Sequence, residues 1–218
     1  MTAVKSKSVV SRSPEIVTAR ILDAAQAEFM ATGYEAASTN RITDAFGGSK
    51  ATIFRYFPTK EKMLEAVIRR IAGRWRETVA REGMPELAPR EWLELYASRI
   101  LSWLLSEESL FLGRLAVAEG HKFPDLSLVF EETASKPLQR ILEQRLAAWT
   151  RLGLLTSRDP KNDAVHFLDL LIGGPVSRAL YHMPDPSDRE MKRHIRRGID
   201  LFLHGCAVVG KLRRSRIR

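Results

Sequence analysis

Apolar residues recur at three- and four-residue spacing along nearly the whole chain, and no stretch alternates with period two in a β-branched background. A helix collects such positions on one face, whereas a half-buried strand needs them at every second residue. The expectation is an all-α fold. Its first part reads as four helices. Pro14 and Glu15 suit the opening turn of the first, with Ser13 as N-cap. Ile21, Ala25 and Phe29 share its buried face, and Gly33 closes it. A short helix over residues 39–46 follows, then Gly47-Gly48-Ser49, then a second short helix to Phe57. Pro58 breaks the chain and Thr59 caps a helix carrying Leu64, Val67, Ile68, Ile71 and Trp75 at amphipathic spacing.

Gly83, Pro85 and Pro89 mark a loop. Beyond it, Trp92, Leu93, Tyr96, Ile100 and Trp103 again fall on a helical stripe. A further helix is expected over residues 109–121. Pro124 opens a long one to Leu152, with Pro137 inside as a kink. Gly153 stops it. Asp159-Pro160 starts the next, rich in Phe167, Leu168, Leu171 and Ile172 and interrupted at Gly173-Gly174-Pro175. After Pro184 and Pro186 comes a last helix with Met191, Ile195, Ile199, Phe202 and Cys206.

The 218 residues are ample for a buried core. No apolar run is long enough to span a bilayer, and residues 1–13 hold no apolar signal core. With Cys206 alone, neither a disulfide framework nor a multi-thiolate zinc site is available, and a cytoplasmic location is expected. The net charge of +9 is unevenly placed: +6 over residues 1–76, −2 over 77–210 and +5 over 211–218. A basic head beside a neutral body suits a polyanion-binding domain joined to a ligand or partner domain. Charge alone is equally compatible with solubility and a disordered tail.

Two short helices joined by a glycine turn, the second one basic, meet the requirements of a helix-turn-helix. Gly47 supplies the tight reversal. Thr43, a small residue four positions earlier, faces the partner helix, and Ser49 caps the second helix so that its amino end can approach a major groove. Lys50, Ala51, Thr52 and Arg55 are placed to reach base edges or phosphates, with Tyr56 and Lys60 flanking them on the backbone. The cluster Phe54, Tyr56 and Phe57 would pin this helix to the first and fourth. On pattern alone, a helical hairpin within a ligand- or partner-binding bundle remains open.

The run Ile21-Leu22-Asp23-Ala24-Ala25, Phe29, Gly33-Tyr34, Ser38-Thr39, Ile42, Gly47, and then Ser49-Lys50-Ala51-Thr52-Ile53-Phe54-Arg55-Tyr56-Phe57-Pro58-Thr59-Lys60-Glu61-Lys62-Met63-Leu64 resembles the N-terminal domain of tetracycline-repressor-like (TetR family) regulators. The resemblance covers about residues 15–75 and is most specific over residues 49–64. It implies an all-helical homodimer whose N-terminal helices bind double-stranded operator DNA and whose larger C-terminal domain binds a small molecule. Carried over, Thr39 would cap the second helix and touch phosphate. Ser49, Lys50, Ala51 and Thr52 would start the recognition helix, and Tyr56 and Lys60 would hold the DNA backbone, with Arg41 and Arg55 completing the set. This chain departs from the family at Thr43 and Phe46, where alanine is usual, at Gly48, usually β-branched, and at Phe54, usually tyrosine. Phe46 would fill the space left by Gly48, and Phe54 would pack. Residues 110–130, with Arg114-Leu115-Ala116-Val117-Ala118-Glu119 and Lys122-Phe123-Pro124-Asp125-Leu126, resemble the AefR-like branch more weakly.

The implied organisation is a disordered basic arm (1–13), a helix-turn-helix domain (14–60), a ligand-binding and dimerisation domain (61–210) and a basic tail (211–218). Trp75, Trp103, Phe111, Phe167 and Leu171 would line an apolar pocket for a small apolar or aromatic effector, with Arg114 or His166 as polar contact. For any one of them, ordinary core packing is the simpler account. The last two helices would pair with those of a second copy. The histidines show no metal-ligand spacing, and no nucleophile elbow, phosphate loop or dinucleotide fingerprint occurs. Neither catalysis nor a cofactor is expected.

Overall fold

The computed structural model describes residues 13–82, 85–122, 128–129 and 131–205, and within that set the side chains of all but residues 75–82. Every regular element among them is helical: α1 Pro14–Ala36, α2 Thr39–Phe46, α3 Lys50–Tyr56, α4 Lys60–Glu82, α5 Pro89–Leu104, α6 Glu107–Glu119, a π-helical turn Glu131–Ser135, α7 Lys136–Arg151, α8 Pro160–Leu180 and α9 Asp188–Gly205. The all-α expectation holds. No described helix is long and apolar enough to cross a membrane. Pro124, Cys206, the tail 211–218 and all of the arm except Ser13 lie outside the described residues, as does the side chain of Trp75.

Packing divides the chain between Val67 and Ile68, within α4. In the first unit, local signals set the helix ends. Gly33 breaks α1 at φ 76°, ψ 170°, a region that glycine enters without strain. Ser38, rather than Thr39, caps α2, its Oγ accepting the Asn40 N–H at 3.2 Å. Thr39 is the first helical residue, and its carbonyl accepts the Thr43 hydroxyl at 2.7 Å. Gly47 ends α2 in the left-handed region, φ 70° and ψ 37°. Ser49 caps α3 by accepting the Thr52 N–H at 3.1 Å, and Thr59 Oγ1 accepts the Lys62 N–H at 3.2 Å. Ile21, Ala25, Phe29, Ile42, Ile53, Met63 and Leu64 are fully buried among these helices. Each of the larger ones stabilises the unit by about 1.5–3 kcal/mol.

The second unit is organised around an aromatic core. Trp92 stacks on Tyr96 at 4.8 Å and meets Trp149 edge-on at 5.4 Å. Phe167 meets Phe202 edge-on at 4.9 Å. The Tyr96 hydroxyl donates to the Leu138 carbonyl at 2.5 Å. Burial pushes its phenol well up, so it stays protonated and keeps that bond.

The two interior prolines behave differently. Pro137 lies inside a continuous helical run: the π-helical turn Glu131–Ser135 passes through Ser135, itself in the right-handed helical region, directly into α7, and the π turn is the distortion beside the proline. Pro175 does not interrupt α8, which continues through it to Leu180. A proline there leaves the carbonyl four residues back, that of Leu171, without its helical donor. His194 of α9 supplies the replacement: its Nε2 lies 2.8 Å from that oxygen, which fixes the hydrogen on Nε2. The two helices approach closely at Gly198, where a Cβ would fall 2.9 Å from Leu171 Cδ2.

Candidate DNA-binding site

The recognition segment is α3. Ile53 is fully buried and Phe57 nearly so, and they anchor the helix. Phe54 and Tyr56, expected as anchors alongside Phe57, are only half-buried. Basic side chains lie over them instead: Lys50 Nζ is 5.9 Å from the Phe54 ring centre and the Arg55 guanidinium 5.2 Å from that of Tyr56. Ser49, Lys50, Ala51 and Arg55 are exposed, and Thr52 is half-buried with its hydroxyl 2.9 Å from Ser49 Oγ. Lys50 Nζ also donates to Asn40 Oδ1 of α2 at 3.2 Å, a partner the sequence pattern did not single out.

Arg41 and Lys60 both bond to neighbouring helices, Arg41 with its side chain still exposed. Arg41 Nε donates to Glu28 Oε1 at 2.8 Å and its Nη2 to the Ala36 carbonyl at 2.8 Å. Glu28 also accepts the Ser38 N–H at 2.9 Å, so one carboxylate ties α1 to the start of α2. Lys60 Nζ donates to the carbonyls of Tyr34 at 2.8 Å, Glu35 at 3.2 Å and Ala37 at 3.3 Å, and lies 4.5 Å from the Tyr34 ring centre. These carbonyls belong to the end of α1, which lacks intrahelical donors and presents negative dipole ends. The neighbouring Glu61 accepts the Tyr34 hydroxyl at 2.8 Å. Tyr34 is thus gripped at both ends by the first turn of α4.

The Arg41 hydrogen bond, followed by that from the Ser38 amide, holds the Glu28 carboxyl below its ordinary value of 4.5. A depressed folded-state value means that the stabilisation is complete above the unfolded value and is lost as pH falls through the folded one. Glu28→Gln is therefore expected to destabilise at neutral pH and to flatten the acid limb of the stability curve. Urea unfolding between pH 6 and 3 checks this (an unchanged limb removes Glu28 from the linkage).

Of the residues expected to line a pocket, Phe167 and Leu171 are buried in the core of the second unit, and the neighbouring His166 is exposed. Trp103, Phe111 and Arg114 are half-buried. Arg114 Nε is shielded from solvent and has no hydrogen-bond partner among the described residues. A groove of about 390 Å³ between α5 and the start of α9 is lined by Leu101, Ser102, Leu105, Asp188, Met191 and Ile195, among others, and by none of the expected set. Among the described residues no group of histidine, cysteine or carboxylate side chains is arranged to hold a metal.

Residues 21–67 match the family model described as bacterial regulatory proteins, tetR family, and residues 91–205 match that of the AefR-like transcriptional repressor C-terminal domain. The HTH-type transcriptional repressor AcnR of Corynebacterium efficiens is 40% identical over 67 residues, 31% of this chain and 36% of AcnR. The nucleoid occlusion factor SlmA of Glaesserella parasuis is 31% identical over 104 residues, 48% of this chain and 47% of SlmA. Each alignment spans less than half of the relative's length. Among solved structures, a TetR-family regulator from Mesorhizobium loti superposes with a TM-score of 0.80 at 26% identity, covering 88% of this chain and 97% of that one. The flavonoid-responsive regulator FrrA gives 0.75 at 26% identity, covering 88% and 98%. The helix-turn-helix of the first unit and the AefR-like match over more than half of the chain make it a member of the TetR family, a family of DNA-binding transcriptional regulators rather than enzymes.

Proposed function

We propose that this regulator represses transcription as a homodimer on a palindromic operator and is released by a small apolar or aromatic effector. The observation that carries the reading is α3: a Ser49-capped helix that buries Ile53 and exposes Lys50, Ala51 and Arg55. In this reading Ser49, Lys50, Ala51, Thr52 and Arg55 meet the major groove, with Thr39 and Tyr56 on phosphate. Arg41 and Lys60 act on the DNA surface by holding α1, α2 and α4 in place.

Dimerisation is assigned to α8 and α9. Leu170 and Leu201 are 40% and 49% exposed and border a groove with Gly198 and His194. A second copy across a two-fold axis would cover this face and set two recognition helices about 34–36 Å apart. The effector site keeps Trp103, Phe111 and Arg114 from the expected set. Arg114 Nε, without a partner among the described residues, favours a ligand bearing an acceptor oxygen. FrrA is named for its response to flavonoids, which makes polyphenols a first class to screen.

Fluorescence anisotropy against the gene's upstream region tests the operator claim, with a shuffled duplex as control. Wild type is expected to prefer the upstream duplex. Lys50→Ala and Arg55→Ala should each weaken that preference by about 1–3 kcal/mol. Equal affinity for both duplexes would sink the reading.

A further inference from the structure

Gly47 and Gly48 are glycines for different reasons. Gly47 has φ +70°, which L side chains rarely adopt. Gly48 is not among the residues with positive φ. What excludes a side chain there is space: a Cβ would lie 2.7 Å from Phe46 Cδ1 and closer still to Cε1. The Phe46 ring, 6% exposed, fills the turn in its place. Arg20 of α1 then fastens that residue twice. Its guanidinium carbon lies 5.2 Å from the Phe46 ring centre, and its Nη2 donates to the Phe46 carbonyl at 2.7 Å. That carbonyl ends α2, where intrahelical donors have run out.

We propose that Arg20, Phe46 and Gly48 form a lock that sets the angle at which α3 leaves the turn, and that Arg20 is a positioning residue for DNA reading rather than a phosphate contact. The proposal rests on the DNA-binding role assigned to α3. Ser49, the cap of α3, directly follows Gly48, so a displaced Phe46 ring shifts the first turn of the recognition helix. Arg20 is half-buried, and its donor is aimed into the protein. Loss of the lock misplaces base contacts, which need fixed geometry, and leaves looser electrostatic attachment largely intact.

The test uses the full chain and a duplex that wild type enriches from a randomised pool, with a shuffled duplex beside it. Binding is titrated over a KCl series, and melting is recorded without DNA. Arg20→Met is expected to lose about tenfold on the enriched duplex. Its affinity for the shuffled duplex and its salt slope should stay close to wild type. An equal loss on both duplexes, with the slope reduced by about 0.9, makes Arg20 a phosphate contact and overturns the proposal. Should Arg20→Met not fold, Arg20→Lys, which keeps the charge without the planar stack, carries the same comparison. The packing half is read by melting: Gly48→Val should destabilise wild type, and the Phe46→Ala, Gly48→Val double variant should recover part of that loss. Strictly additive losses overturn the lock. If wild type enriches no sequence, the operator reading fails, and the melting cycle still decides the lock.

Discussion

Lys60→Met is expected to lower stability by about 1.5–3 kcal/mol, the range for hydrogen bonds to a charged group. The substitution keeps an apolar stem against the Tyr34 ring and removes the ammonium from three carbonyls at the end of α1. The bonds to Tyr34 and Ala37 are part-buried, so water replaces the lost donor poorly there, whereas the exposed Glu35 carbonyl is readily rehydrated. Thermal unfolding should show the loss as a melting temperature several degrees lower. The salt dependence of DNA binding separates this role from the phosphate contact implied by the family resemblance. With all three N–H groups turned inward, the slope should change little. A slope reduced by about 0.9 with unchanged melting would return Lys60 to the DNA backbone.

The second large effect concerns His194. His194→Ala is expected to cost about 1–3 kcal/mol, because it strands the Leu171 carbonyl beneath α9. The same change should cost much less in a Pro175→Ala background, where residue 175 regains the N–H that bonds to that carbonyl. Urea unfolding of wild type, both single variants and the double closes the cycle. A coupling of about 0.5–3 kcal/mol is expected for groups sharing one partner. Additive losses would mean that His194 stabilises α8 by packing alone.

These features differ in how far the sequence exposes them. Residues 39–46, Gly47, Ser49 and Thr59 were legible because a cap or a positive-φ turn is settled within about four residues of chain. Thr39 was misassigned by one position because Ser38 and Thr39 are adjacent and equally able to cap; only backbone dihedrals separate them. Phe167 and Leu171 define the buried face of α8, and His166, one residue and about 100° away, is exposed. Arg20, Glu28 and Lys60 had no local signal. Their partners lie 26, 13 and 26 residues away, and each bond exists only because α1 is laid against the turn, α2 and α4. The role of Gly48 was legible as a departure from the family, but its cause required the position of the Phe46 ring. The pocket was least legible, since apolar helical spacing is the same whether a face meets a ligand or a neighbouring helix.

The bond from His194 to Leu171 also orders events during synthesis. Helix α8 leaves the ribosome before α9, carrying a proline in its last two turns and a carbonyl that nothing in its own sequence can satisfy. Its hydrogen-bond ladder is completed only when α9 folds back onto it. Until then the C-terminal half of α8 is a helix with one rung missing. The C-terminal half of α8 is thereby completed in the same step that brings Phe202 of α9 onto Phe167 in the aromatic core.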